Sequence, residues 1–257
     1  MLINCDVKGL EVVVAAQLSG DKVLSQEIKD QVDIHETNRS TFDLGGKAAY
    51  AGETEAEKAA RKAGRLVAKI FKFRLIYGGS AYSYAHDPDF MGVSTSEQFW
   101  QEIIDRYYAK YYGVAAWHKE IVKEAQDKGR LSIPSGRYYP FPPERDFRGN
   151  IKWPITKIKN YPVQGFGADL VMLARLEASK RLKASGLEYK LVSTIHDSIV
   201  VDTTDANWYT ISMVLKDCVE AVPALCKQVW GYDFSLPLTC EVQRGMNKKD
   251  MQEVVFN

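Results

Sequence analysis

Apolar and polar positions divide the chain into a few clear segments. Leu2–Asp6 (LINCD) is a short apolar run ending on a carboxylate, the pattern of a buried strand. Leu10–Leu18 is apolar on nearly every side, which predicts a buried helix closed by Ser19-Gly20-Asp21. Thr54-x-x-Glu57 has the spacing of a capping box, in which each side chain satisfies a free backbone donor at the helix start. The helix it opens is predicted to run to Tyr77, where Gly78-Gly79 adopts the end conformation without steric cost. Ser96 to about Lys128 is helical again and carries Tyr107, Tyr108, Tyr111, Tyr112 and Trp117, aromatics suited to helix packing. Residues 131–154 hold five prolines and no regular period, so they read as a loop or small excursion. Asp169–Ala184 is amphipathic with a basic end, a further helix. Lys190–Ile195 and Ser198–Asp202 are apolar and rich in β-branched residues. Only His196-Asp197 separates them, which predicts a tight hairpin.

Composition adds bounds. The 257 residues, 46% hydrophobic and 26% charged, suit one large or two small globular units. A net charge of +1 gives no global attraction to a polyanion. The distribution says more: Lys58, Arg61, Lys62, Arg65, Lys69, Lys72 and Arg74 follow one another with no acid between them. Such a run fits a solvated helix face, but the lack of compensating acids argues for an anionic partner. Cys5, Cys218, Cys226 and Cys240 form no C-x-x-C pair and have no histidine at zinc spacing, so reduced, mostly core thiols are expected. No apolar run reaches the ~20 residues of a membrane span, and no leader is visible. Neither repeats nor low-complexity tracts occur. The expected setting is a cytoplasm, bacterial or of an infected host cell, away from any membrane.

Two segments far apart in the chain carry candidate chemistry. Asp6 stands at a strand end and Asp197 at a hairpin tip. Phosphoryl transfer to a hydroxyl uses two metal ions about 3.5–4 Å apart, and hard Mg²⁺ takes few protein carboxylates because it keeps several waters. Either aspartate alone is more simply a turn or cap residue. Between them Arg65, Lys69, Phe73 and Tyr77 recur every four residues. On a helix they drift only about 40° per step, so they line one face. Cations early on that face suit the phosphates of a triphosphate, and aromatics further along suit a base. The same spacing fits core aromatics beside solvated cations.

Taken in order, these segments resemble the motifs of the family A (Pol I-like) DNA polymerases, the phage replicative branch in particular. Asp6–Asp21 (DVKGLEVVVAAQLSGD) is similar to motif A, and Asp33-Ile34-His35 to the Asp-Ile-His that follows it. Arg65–Gly78 is similar to motif B, and His196-Asp197 to motif C. Tyr112-Gly113-Val114 with Trp117, Gly136-Arg137, and Asn160-Tyr161-Pro162-Val163-Gln164-Gly165 resemble intervening family segments. The likeness runs from Ile3 to about Gly245.

The resemblance implies an α+β fold, with an antiparallel palm sheet and a mostly helical fingers insertion. Palm would cover 1–19 and 156–257, and fingers 20–155, with no thumb or exonuclease. It implies template-directed addition of deoxynucleotides to a primer 3′ end. Asp6 and Asp197 would hold two Mg²⁺ ions, with Mn²⁺ able to substitute and the Val7 carbonyl as a further ligand. Arg65, Lys69 and His35 would contact the deoxynucleoside triphosphate. Phe73 and Tyr77 would form its pocket, and Glu11 would sit under the sugar as a steric gate. Asn160, Gln164 and His196 would touch the DNA primer–template. Four positions depart from the family pattern: Ser198 stands where motif C usually has Glu, Val13 for an Arg, Thr156 for an Arg with Lys157 beside it, and Lys8 adjoins Asp6. Because motif A opens the chain, a split polymerase is expected, with a second polypeptide supplying thumb, upstream palm and exonuclease. Two rival readings are a non-catalytic DNA-binding or scaffold relic and a single-subunit RNA polymerase. Glu11 speaks against the latter, since such an enzyme needs room for a 2′-hydroxyl.

Overall fold

The computed structural model describes residues 1–45, 49–145 and 148–256. β1 (Leu2–Val7) leads into α1 (Leu10–Ser19), α2 (Lys22–Lys29) and α3 (Ile34–Thr41). Then come α4 (Glu55–Ile76), α5 (Ala81–Ala85), α6 (Glu97–Lys110) and α7 (Tyr112–Lys128). Short strands β2 (Arg130–Ser132), β3 (Tyr138–Pro140), β4 (Glu144–Arg145) and β5 (Ile151–Lys152) precede α8 (Ile155–Ser185). The remainder is β6 (Tyr189–Ile195), β7 (Ser198–Thr203), α9 (Trp208–Glu220), α10 (Val222–Trp230), β8 (Cys240–Gly245) and β9 (Gln252–Glu253). The fold is α+β with an antiparallel sheet, as expected from the sequence. Two compact units emerge: one of residues 1–17, 132–137 and 163–257, the other of residues 18–131 and 138–162. Among the described residues no helix is long and apolar enough to cross a membrane.

The first unit is built on a five-stranded sheet in the order β6-β7-β1-β8-β9. β1 lies between β7 and β8, antiparallel to both, so its apolar residues are covered and its backbone is paired on both sides. Side chains alternate across a strand. Ile3, Cys5 and Val7 are therefore buried on one face, while Asp6 stays partly open on the other. α9 packs on β1 and β8, and α1 buries Leu10 and Val12–Ala16. The expected hairpin is present as β6 and β7, with His196 in the left-handed region at φ 53°. That conformation costs a residue with a Cβ roughly 1–2 kcal/mol.

In the second unit α4 begins with the capping box, both Thr54 and Glu57 bonds being formed. It buries Gly64, Ala68, Phe71, Lys72, Leu75 and Ile76 along one face. Gly64 permits a close crossing, since a Cβ there would stand 2.2 Å from the Gly45 carbonyl oxygen. The aromatic stretch packs as a core: Phe71 lies 5.0 Å from Tyr84 and 5.9 Å from Trp100 between ring centroids, and Tyr107 4.8 Å from Tyr111.

Two expected helices change. The stretch from Ser96 to Lys128 is two helices, broken at Tyr111. The buried carboxylate of Asp21 explains the restart. One oxygen caps α2 through Leu24 N (2.8 Å), and the other accepts from Gly113 N (2.7 Å) and Val114 N (3.2 Å) at the first turn of α7. The helix expected from Asp169 begins at Ile155 and contains Pro162. A proline removes only one donor from the ladder, and burial of Ile158, Val163 and Phe166 holds the turns around it. The excursion at 131–154 forms two small ribbons, β2 with β3 and β4 with β5. All four cysteines are free, three of them buried.

Candidate active site

The two aspartates meet in the first unit. Antiparallel register sets Asp6 opposite Ser198 on one side and Glu241 on the other. The Val7 amide donates to the Asp197 carbonyl at 3.0 Å, which pins the hairpin tip to the end of β1. The Asp6 carboxyl is pushed up from 3.8 to about 6 by burial first, then by the charge and hydrogen bond of Asp197, then by Glu241, with Lys248 opposing. Two carboxylates this close repel once ionised, and a divalent cation is the species that would relieve both. The pair therefore fits a divalent-cation site on electrostatic grounds. Among the described residues no group of three or more His, Cys, Asp or Glu side chains is arranged around one ion, so water would complete any coordination.

Beside the pair lies a cleft of about 370 Å³ lined by Leu10, Glu11, Val163, Gln164, Gly167, Ala168, His196 and Asp197. Four of the residues singled out from sequence (Glu11, Gln164, His196 and Asp197) thus share one concavity. Glu11 lines it from the first turn of α1, which starts three residues after β1 ends. Gly167 lets α8 approach α1, its Cβ position standing 3.3 Å from Leu10 Cδ2.

The second cluster is the outward face of α4. Arg65 grips Asp33 with both arms of its guanidinium, Nε at 2.9 Å and Nη2 at 3.1 Å. Burial pushes Asp33 up, but this bond and the Glu36 amide outweigh it and hold its pKa low. Lys69 has no acid partner among the described residues, and its ammonium lies 5.9 Å from the Phe73 ring centroid. The His35 ring tilts against Phe73 at 6.1 Å. Burial, then the Lys72 and Arg65 charges, lower His35 to about 3, so it is neutral near pH 7. Its Nδ1 is buried and unpartnered. Tyr77 caps α4 and is half-buried. Asn160 belongs to this second unit, half-buried, its Oδ1 without a partner.

One sequence argument is corrected here. The cation run on α4 does not lack acids: Lys58 pairs with Glu55, Arg61 with Glu53, Arg65 with Asp33, and Arg74 with Asp87 and Asp89. The acids lie outside Lys58–Arg74, so a count within that run missed them. Lys69 keeps the unpaired character that the run as a whole was credited with. Two further residues escaped the sequence reading. Glu241 is opposite Asp6 only through the β1–β8 register. Lys248, whose Nζ donates to Asn4 Oδ1 at 2.5 Å, is the cation acting on Asp6, although Lys8 is the cation next to it in sequence. Ser198 ties the hairpin by donating to the Ile195 carbonyl at 2.9 Å.

Comparison with known proteins bears on this geometry. The model for "DNA polymerase family A" matches residues 1–250. The chain belongs to that family. Among relatives of this family A chain, DNA polymerase I of Lactococcus lactis is 28% identical over 221 residues, covering 86% of the chain and 24% of the relative. That of Aquifex aeolicus is 31% identical over 198 residues, 77% of the chain and 31% of the relative. The thermostable DNA polymerase I of Thermus filiformis is 26% identical over 249 residues, 96% of the chain and 26% of the relative. The chain therefore spans about a quarter to a third of the length of these curated relatives. Its fold is similar to the POL domain of Pol1 from M. smegmatis, solved with DNA primer-template and dNTP. The TM-score is 0.74 at 20% identity, over 95% of this chain and 39% of that one.

Proposed function

We propose that this chain carries the catalytic centre of a template-directed DNA polymerase of the phage replicative type, adding deoxynucleotides to a primer 3′ end. The observation that carries this reading is the Asp6–Asp197 pair, joined at a strand end and hairpin tip in a chain of family A. Asp6 and Asp197, with the Val7 carbonyl, would hold the divalent metals. When bound, Mg²⁺ would lower the pKa of the attacking hydroxyl and neutralise the leaving pyrophosphate. Lys69 offers an unpaired ammonium to the triphosphate, and Arg65 would exchange Asp33 for phosphate as nucleotide enters. His35, neutral, serves as a hydrogen-bond donor there rather than as a charge. Phe73 and Tyr77 supply ring faces for the base. Glu11 fills the cleft below the sugar, and Gln164, His196 and Asn160 contact primer–template.

The test is primer extension with Asp6→Ala and Asp197→Ala, each expected to lower the rate at least a thousandfold, about 4 kcal/mol, with DNA binding retained. Near-normal extension by either variant would sink the assignment of the pair, and no extension by the wild-type chain would favour the non-catalytic scaffold reading. The reading extends to a second polypeptide. Among the described residues β6 ends the sheet with an open edge, with Val192 and Ile195 exposed along the strand, and an unpaired edge of that kind accepts a strand from another chain. Sedimentation of the chain alone and with its candidate partner would test this. Processive synthesis by a monodisperse monomer would count against it.

A further inference from the structure

A second cavity, of about 600 Å³, lies wholly within the second unit, where α6, α7 and the first turns of α8 meet. That volume is in the range of small-molecule sites, roughly 300–1,000 Å³. α7 lends one face to it: Ala115, His118, Lys119 and Val122 recur at steps of one turn or less. Tyr108 of α6 stands against that face, its hydroxyl 3.1 Å from His118 Nδ1. Ile155 and Lys159 form the side given by α8. Apolar wall thus alternates with positive charge. His118 adds none of that charge. Burial first, then the Lys159 ammonium, lower it to about 3 against the opposing Ile76 carbonyl, so it is neutral near pH 7. Lys159 is half-buried, and burial lowers its pKa. Its stem packs on the turn after α4, Cδ standing 3.2 Å from where a Cβ of Gly78 would be, which limits where the ammonium can go. Neither Lys159 nor Lys119 has an acid or hydrogen-bond partner among the described residues. Lys123, also in the lining, is taken by Asp127, and Asp105 accepts from Gln101 Nε2 at 2.9 Å.

We propose that this cavity binds a small aromatic phosphate monoester, its ring between the apolar walls and its phosphate on Lys159 and Lys119. A cation drawn out of water without a counter-charge is held at a cost, and an anion arriving beside it removes that cost. Two unpaired ammonium groups match the charge of a phosphate monoester, about −2. Free phosphate would satisfy the lysines but leave Ala115, Val122 and Ile155 facing water. An uncharged ring would cover those side chains and leave Lys159 half-buried without a partner. Only a molecule with both parts engages the whole cavity. The proposal goes beyond the polymerase reading and does not depend on it, because no residue assigned to metal, nucleotide or primer–template lines this cavity.

The experiment is isothermal titration calorimetry of the whole chain with 1-naphthyl phosphate, and in parallel with 1-naphthol and with inorganic phosphate. The phosphate monoester is expected to bind at one site per chain, about tenfold or more tighter than either fragment. Lys159→Met keeps the stem and removes the charge, and should weaken binding about tenfold or more, the loss of one charged hydrogen bond. Val122→Trp fills the cavity from the other wall and should abolish binding without touching a cation. Lys69→Ala, on α4 and outside the cavity, should bind as wild type. Thermal melts matching wild type would establish that the variants fold, and the two independent variants keep the test decisive if one of them does not. No saturable binding by wild type would overturn the proposal. So would wild-type affinity in either cavity variant, or a loss of binding in Lys69→Ala, which would place the probe on the outward face of α4 instead. Displacement of the probe by a primer–template duplex would make the cavity part of a nucleic-acid path and overturn the proposal equally. Primer extension is measured separately, so its failure refutes the polymerase reading while the calorimetry still decides the cavity.

Discussion

Replacing Asp197 by Asn should abolish synthesis and yet stabilise the metal-free protein. Asp6 is held at about 6 rather than 3.8. Two units correspond to roughly 3 kcal/mol, and partial solvent access reduces the real penalty to on the order of 1–2 kcal/mol. Because the folded pKa is raised, the associated stability is fully present below pH 3.8 and is lost as pH rises through 6. At pH 7.5 the folded chain therefore carries the cost of an ionised Asp6. Burial, the larger cause, survives the substitution, so removing the Asp197 charge should return roughly 0.5–1 kcal/mol, about 1–4 °C in Tm. The assay is thermal unfolding in EDTA from pH 3.5 to 8. The variant should melt above wild type at pH 7.5, and the gap should close below pH 4. Added Mg²⁺ should raise the melting temperature of wild type at pH 7.5 and leave the variant unchanged. A variant that melts lower than wild type at pH 7.5, or a gap that ignores pH, would refute the argument that these two carboxylates oppose each other.

Lys69→Ala should raise the nucleotide KM about tenfold or more without changing primer–template affinity, and a loss confined to DNA binding would reassign α4 as a DNA clamp. Glu11→Ala should raise ribonucleotide relative to deoxynucleotide incorporation, measured as a ratio of kcat/KM; an unchanged ratio would remove Glu11 as the gate. Asp21→Ala should cost about 2–4 kcal/mol in urea unfolding, because it uncaps α2 and α7 together; a cost below about 1 kcal/mol would refute the double cap.

What the chain announces by itself is what lies within one turn or one step of its cause. The capping box at Thr54 and Glu57, the Gly78-Gly79 stop, the two-residue tip at His196-Asp197 and the packing role of the aromatics depend on neighbours three or four positions away, and all are legible in sequence. So is the four-residue spacing that aligns Arg65, Lys69 and Phe73. Where a distant residue decides, local pattern fails. Asp21 restarts a helix ninety-odd residues downstream. Asp33 occupies the arms of Arg65, and Glu53, Asp87 and Asp89 neutralise a run that looked free of acids. Glu241 and Lys248 act on Asp6 only because β8 pairs with β1 in one register, and a slip of one residue would turn Glu241 to the opposite face of the sheet. Helix and turn identity follow from short-range sterics and hydrogen bonding. The charge state of Asp6, and with it the electrostatics of the site, follows from strand register and burial, which only the folded chain defines.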